Sequence, residues 1–302
     1  MTMPALVLDE PPAYSHVTVM AQEVVTALSP LDGKRILDVT LGGGGHSAAL
    51  LAASPSSRIL AFDRDPAALE AARERLAAQG DRARLVRGSF LDLEESFAEH
   101  GFEPVDGLIA DLGVSSAQLD NPGRGMSFRA EGPLDMRMDP ENGETAEELI
   151  GRLSQEELAN VIYELGEEKR SRRIASCIKQ AQRMGVLETT MDLRKAVVKA
   201  VGPRRVGGID PATRTFQALR IAVNRELEQL SGLLDAAPRL LKPGGIAVFI
   251  SFHSLEDRLV KRAFMDREKW LKLTPKPLVA SDTEQRENPR ARSAKLRAAV
   301  RI

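Results

Sequence analysis

The sequence predicts an α/β domain built on a mostly parallel sheet and interrupted in mid-chain by an all-helical insertion. Three observations carry that expectation. Short aliphatic or β-branched runs alternate with helical patterns over the first third of the 302 residues. Strand-like signal then vanishes between residues 145 and 201, and it returns near residue 246 after a sharp turn. Strands that alternate with helices need right-handed crossovers, hence a parallel sheet. These patterns place the sheet domain at residues 1–118 and 212–302, with an inserted loop and helical domain, expected to recognise substrate, at 119–211.

Taken in order, Arg35–Thr40 (RILDVT) reads as a buried first strand, followed by the glycine tract Gly42–Gly45 and a helix from about Ser47. Arg58–Phe62 is the second strand. Asp65 and Pro66 open the next helix with a capping carboxylate and a proline in the first turn. Leu69, Ala72 and Leu76 keep its helical period, and Gly80 can close it. Arg84–Val86 and Val105–Ala110 complete four strands, and residues 121–142 form a loop rich in Gly, Pro, Arg and Met. Ser154–Glu157 matches a capping box, and helices follow across Glu167–Met184 and Thr190–Val201. Beyond a connector at 204–211, one long amphipathic helix is expected from Ala212 to Leu241. Lys242-Pro243-Gly244-Gly245 then turns into a strand at Ile246–Phe252, and Ser293–Arg301 is expected as a final edge strand.

Composition excludes several classes of function. Forty-two Lys and Arg against 43 Asp and Glu leave a net charge of −1. No global basic field therefore points to nucleic acid, and basic groups must act locally. The lone Cys177 excludes an internal disulfide framework and a cysteine-rich zinc site. No His, Asp and Glu cluster has metal-ligand spacing, so no metal is expected. No apolar run approaches the roughly 20 residues of a membrane span. No basic signal-peptide start precedes Lys34, and a cytoplasmic location is expected.

In an open α/β sheet, reactive groups gather at the carboxyl ends of the central strands. The turn Asp38–His46 lies at the first of these ends. Its glycines let a backbone approach a ligand closely, and the helix start offers free amides, although tight strand–helix packing alone would also ask for them. A carboxylate at Asp38 would repel a dinucleotide pyrophosphate and suits a cofactor with a cationic amino acid end, which points to S-adenosylmethionine. Asp63 closes the second strand, placed to accept both ribose hydroxyls of an adenosine, an arrangement that would serve NAD equally. Phe90, after the third strand, is a candidate to pack on the adenine, or else a core residue. Asp111 and Gln118, after the fourth, are candidates to hold cofactor or acceptor, or else to stabilise their loop.

Seven segments stand in a distinctive order: LGGGGHS, DLGVSSAQLD, GRGMSF, GPLDMRMD, RTFQALRIAVN, SFHSLEDR and NPRARSAKLR. From about His16 to Arg301 the chain resembles the MraW family of bacterial small-subunit ribosomal RNA methyltransferases. The resemblance implies a class I methyltransferase fold, Rossmann-like, with a helical insertion. It implies methyl transfer from S-adenosylmethionine to the exocyclic N4 amine of a cytosine at the decoding centre of 16S ribosomal RNA. It further implies a substrate within the small ribosomal subunit or a late precursor, and a homodimer. Carried over by position, the family's cofactor contacts fall on Gly44, Gly45, His46, Asp63, Phe90, Asp111 and Gln118.

The cytosine amine is a poor nucleophile because its lone pair is delocalised into the ring. Catalysis therefore needs alignment of the amine and an acceptor for its N–H. Other amino-methylating enzymes follow their acidic or amide residue with prolines, whereas Asp111 is followed by Leu-Gly-Val-Ser-Ser. Carbonyls or hydroxyls of Gly113–Ser116, Ser115 among them, are thus expected to orient the amine, with Asp111 mainly on the cofactor. Asp135, His253 and Glu256 are secondary candidates for base contact or proton acceptance. Arg124, Arg137, Arg204, Arg205, Arg214 and Arg292 are expected to neutralise RNA phosphates. Phe128, Phe252 and Trp270 are candidates to stack on a target base, which must be unstacked to be reached. A nicotinamide oxidoreductase and a non-catalytic RNA-binding protein remain the rival classes, and DNA or protein the rival acceptors.

Overall fold

A computed structural model describes residues 18–89, 93–99, 102–203 and 208–302. Seven strands make one sheet: β1 (Arg35–Asp38), β2 (Arg58–Asp63), β3 (Ala83–Arg87), β4 (Val105–Asp111), β5 (Leu241–Ser251), β6 (Trp270–Lys272) and β7 (Lys295–Arg301). Their order is β3-β2-β1-β4-β5-β7-β6. The first five pair in parallel, and β7 runs antiparallel to both β5 and β6. The chain thus reverses its direction of travel across the sheet between β1 and β4, and the crevice above that switch point is where open α/β sheets bind ligands.

The helices are α1 (Ala21–Leu28), α2 (Gly45–Ala53), α3 (Pro66–Leu76), α4 (Leu93–Glu99), α5 (Ser116–Asp120), α6 (Ala146–Arg152), α7 (Gln155–Gly166), α8 (Ser171–Arg183), α9 (Thr190–Val201), α10 (Thr213–Asn224), α11 (Glu226–Leu240), α12 (Ser254–Ala263) and α13 (Asp282–Glu287). Successive strand residues point to opposite faces, so a sheet buried on both faces reads as a continuous apolar run. Ile36, Ile59 and Ile109 pack on one face with Val24, Leu50 and Leu69 from α1, α2 and α3. Leu37, Phe62 and Phe249 pack on the other with Phe97, Leu233 and Val260 from α4, α11 and α12. Each such side chain, fully buried, contributes about 1.5–3 kcal/mol.

Residues 134–219 build a third core of their own, with Ile150, Ile162, Ile174, Leu193 and Leu219 all buried. The capping box expected at Ser154 is formed, and Thr145 and Thr189 cap α6 and α9 in the same way. The single long helix expected from Ala212 to Leu241 is instead two helices, broken at Arg225 with φ +51°. Phe216 and Leu219 of α10 belong to the third core, so the insertion's packing takes in residues on both sides of the boundary at 211/212. The tail strand is not an edge. β7 is flanked by β5 and by the three-residue β6, which is too short to show a sequence period. β6 is held by Trp270, which is 3% exposed and packs on Phe264. Among the described residues, no helix is long and apolar enough to cross a membrane.

Candidate active site

A cavity of about 110 Å³ opens above the carboxyl ends of β1, β2 and β4. Gly42, Gly43 and Gly45 form its floor, and Asp63, His46, Asp111 and Gln118 converge on it. The glycine turn is forced by crowding as well as by φ. Gly44 sits at φ +74°, and a Cβ on Gly45 would lie 1.8 Å from Thr18 Oγ1. Gly44 itself faces α3, with Ala72 Cβ 3.3 Å from where its own Cβ would be. It is therefore a packing glycine, and Gly42 and Gly43 take the place expected for it in the lining.

Asp63 accepts from the Gly42 amide (2.8 Å) through Oδ2 and from the Asp65 amide (2.9 Å) through Oδ1. Each oxygen keeps a further lone pair toward the cavity. Burial pushes its carboxyl up to about 6, against the pull of those two amides. Asp111 is joined to β1 through its own amide, which donates to Thr40 Oγ1 (2.6 Å). Its Oδ1 accepts from the Gly113 amide (3.2 Å), and its Oδ2 lies 3.3 Å from His46 Nε2. His46 is 5% exposed, and its Nδ1 has no hydrogen-bond partner. With Nε2 donating to Asp111, Nδ1 is an orphaned acceptor in a ring that lines the cavity. Leaving such an atom unmet costs about 1–3 kcal/mol, which a ligand donor would recover. Ser115 Oγ accepts from the Gln118 amide (3.2 Å) and its own amide donates to Gln118 Oε1 (3.1 Å), so Ser115 shapes the turn that presents Gln118.

The far wall was not legible in the sequence. Arg64, Met138, Glu226 and Gln229 line it. Met138 comes from the insertion and is clamped by Asn224. The Asn224 Oδ1 accepts from the Met138 amide (2.7 Å), and its Nδ2 donates to the Met136 carbonyl (2.7 Å). The alternation in GPLDMRMD thereby acquires a reason: Leu134 and Met136 enter the third core, while Met138 closes the cavity. A second tie runs through Asp65, the cap of α3, whose Oδ2 accepts from both Gln118 Nε2 and Arg124 Nη1 at 2.8 Å.

Several expected site residues are used elsewhere. Asp38 is 1% exposed and accepts from Ser47 Oγ (2.7 Å) and the Thr40 amide (3.1 Å), so it fastens α2 to β1 and does not line the cavity. Arg124 spends its guanidinium on Asp65 and on the carbonyls of Arg137 and Met138, which corrects its expected role on RNA. Arg137 and Asp135 form a two-pronged pair at 2.9 and 2.7 Å. Burial alone would raise the Asp135 carboxyl, but the hydrogen bonds and charge of Arg137 outweigh it and hold the group below the usual range. Asp135 is a poor proton acceptor for that reason, and Arg137 is not free for phosphate. Trp270 is core, and Phe128 packs edge-on against Phe216. Arg214 and Arg292 remain exposed. Phe90, Arg204 and Arg205 lie outside the described residues.

His253 caps α12 through Nδ1, which accepts from the Glu256 amide (3.4 Å). Its Nε2 lies 3.0 Å from Glu256 Oε1 but outside hydrogen-bonding geometry. Ligand atoms of Glu226, His253 and Glu256 come within 4.8 Å of one another. Two interactions argue against a cation there. An accepting Nδ1 places the ring proton on Nε2 and leaves it no lone pair, and both oxygens of Glu226 are held by Arg220 at 2.8 Å. His253 does not line the cavity, so it reads as a cap and not as a proton acceptor.

A vicinal carboxylate for ribose hydroxyls, an orphaned imidazole acceptor and a glycine floor all suit an adenosyl amino acid. With the strand order 3-2-1-4-5-7-6 and its antiparallel seventh strand, they define a class I S-adenosylmethionine-dependent methyltransferase. Residues 13–302 match the model of the MraW methylase family, and the chain belongs to that family. The ribosomal RNA small subunit methyltransferase H of Sorangium cellulosum is 62% identical over 292 residues, covering 97% of this chain and 92% of that protein. The proteins of the same name from Synechococcus sp. (strain JA-2-3B'a(2-13)) and Prochlorococcus marinus (strain MIT 9303) are 54% and 52% identical, covering 95% and 99% of this chain and 92% and 97% of their own lengths.

The raised Asp63 carboxyl gives a pH dependence with a definite sign. If Asp63 holds the ribose as proposed, the hydroxyls would donate to its ionised form, so protonation would have to be reversed before the cofactor binds. Affinity for S-adenosylmethionine is expected to be flat above about pH 7 and to fall by up to about tenfold per unit below about pH 6. Calorimetry across that range checks it. Asp63→Asn should flatten the profile, and a flat profile in the unaltered chain would remove Asp63 from the ribose.

Proposed function

We propose that this chain methylates the exocyclic N4 amine of a cytosine at the decoding centre of 16S ribosomal RNA, in the cytoplasm, within the small subunit or a late precursor. Its relatives bear names for small-subunit ribosomal RNA methylation. The observation that carries the reading is the placement of Asp111. Its carboxylate stands at the tip of β4, on the cofactor cavity, steadied by His46 and the Gly113 amide. When bound, S-adenosylmethionine supplies a methyl group made electrophilic by its sulfonium. Asp111 keeps lone pairs to accept an amine N–H, which turns the nitrogen lone pair toward the cavity and favours positive charge on the nitrogen. The Gly113–Ser116 backbone lies next to it for the second N–H. Asp111 therefore takes the role of orienting the acceptor as well as that of bordering the cofactor.

Mapping of methylated cytosines in small-subunit RNA, from cells with and without this chain, tests the proposal. One N4-methylcytidine is expected to vanish, and an unchanged map would refute it. Asp111→Ala is expected to lower kcat by about 10²–10⁴. Asp135→Ala and His253→Ala should act through stability instead, leaving turnover per folded molecule within about threefold, less than the effect of any general acid or base.

A further inference from the structure

A second cavity, of about 180 Å³, shares Asp111 and Gly113 with the cofactor cavity. A single water needs only about 10–15 Å³, so the space admits a ring. Its walls combine apolar Val19 and Leu119 with Phe252 and two arginines, Arg220 and Arg290. Phe252 lies flush on the turn after β4: a Cβ on Gly113 would sit 2.7 Å from its Cε2. Arg220 is fixed from the cofactor side, where its Nε and Nη2 each donate to Glu226 at 2.8 Å, and Glu226 lines the cofactor cavity. Nη1 of Arg220 makes no hydrogen bond to any described residue. Burial would lower the Arg220 charge, but Glu226 more than compensates and keeps it a cation.

We propose that this second cavity receives the acceptor base itself, a flipped-out pyrimidine bearing an exocyclic amine, with Phe252 as its stacking surface and Arg220 as the reader of its ring acceptors. The donor pattern selects the base. A guanidinium only donates and an ionised carboxylate only accepts. Arg220 therefore suits the N3 and O2 acceptors of cytosine, and Asp111 suits its N4 amine. Uracil, with N–H at position 3 and a carbonyl at position 4, would set donor against donor and acceptor against acceptor. An aromatic ring beside a charged reader is how proteins hold an unstacked base. The assignment rests on the methyl-transfer reading above.

The test titrates cytidine 5′-monophosphate into the full chain saturated with S-adenosylhomocysteine, which blocks the cofactor cavity. Phe252→Ala is expected to weaken binding by about 5- to 150-fold. Leu119→Trp, which fills the cavity, should abolish it, and uridine 5′-monophosphate should bind at least about tenfold more weakly than the cytidine nucleotide. Both variants should bind S-adenosylmethionine within about twofold of the unaltered chain, which also shows that they fold. In methyl transfer to small subunits, Phe252→Ala should lower kcat/KM for RNA while the KM for the cofactor holds. Absence of cytidine nucleotide binding, or binding that neither variant alters, overturns the base site. Absence of methyl transfer by the unaltered chain would instead strike the methylation reading, so the two failures are distinct.

Discussion

Asp63→Ala is expected to weaken S-adenosylmethionine binding by about 10²–10⁴-fold. The carboxylate offers one lone pair from each oxygen to a vicinal diol, and a hydrogen bond to a charged group contributes about 1.5–3 kcal/mol. The same substitution strips the Gly42 and Asp65 amides of their acceptors, so the glycine floor loosens together with the ribose contact. Asp63→Asn retains one acceptor oxygen but sets its NH2 against either the Gly42 or the Asp65 amide, so it should also lose affinity, though less than Asp63→Ala. The two are separable from general damage by measuring cofactor-induced thermal stabilisation, which follows the ratio of ligand concentration to Kd. The ionised Asp63 carboxylate disfavours the fold at neutral pH, since burial raises its pKa to about 6. Removing the charge therefore relieves a cost, and the ligand-free chain should not melt in proportion to its lost affinity. A loss of less than about tenfold in Asp63→Ala would place the ribose elsewhere.

The second large effect is expected at Asp65, through stability. Asp65 is 2% exposed and joins three segments: the start of α3, Gln118 after β4, and Arg124 of the insertion. Asp65→Ala removes a helix cap and strands a guanidinium whose side chain is only 15% exposed. Breaking a buried pair from one side costs about 3–5 kcal/mol, and a lost cap about 1 more. Because Gln118 is released as well, cofactor affinity should fall with it. Arg124→Met leaves Asp65 with its other two donors and should cost less. The double variant should be less damaged than the sum of the singles, since no unpaired charge remains. Urea unfolding of the three variants decides the matter. If Arg124→Met left stability unchanged and weakened only RNA binding, the phosphate role first expected for it would be restored.

Gel-shift titration at graded salt addresses the arginines that do stay exposed. Arg214→Ala and Arg292→Ala are each expected to weaken binding to the small subunit and to reduce the salt slope by about one for each phosphate no longer neutralised. Arg137→Ala should leave that slope unchanged, because its guanidinium is committed to Asp135.

Local spacing was enough to find six of the seven described strands, the caps at Asp65 and Ser154, and the end of the sheet where the cavity opens. The run RILDVT announces a buried strand because both its faces are apolar, and Ser154 with Glu157 announces a helix start because the box closes within four residues. Asp63 and Asp111 were placed by the same logic, since a carboxylate that ends a central parallel strand must face the crevice above it. Short or shielded features escaped. β6 has too few residues to show alternation, and the break between α10 and α11 falls at Arg225, next to Asn224, whose amide is turned to residues 136 and 138.

What the linear sequence determined, then, is what lies within about a turn or a strand of its partner: most element types, the caps at Asp65 and Ser154 and the glycine corner, whereas the order of the sheet, with β7 inside it, came from the tertiary structure. Only the tertiary structure decided which charges are at work in the site and which are consumed. Asp38 looked outward to a cofactor but bonds Ser47, and Arg124 looked outward to RNA but is held 59 residues away in sequence by Asp65. Glu226 entered the site without any local signature, and Met138 came from a motif whose place against the cavity no spacing showed. The physical reason is that a charge is committed by whichever opposite group is desolvated beside it. That neighbour is chosen by crossovers and by the docking of the insertion, and no spacing along the chain records the choice.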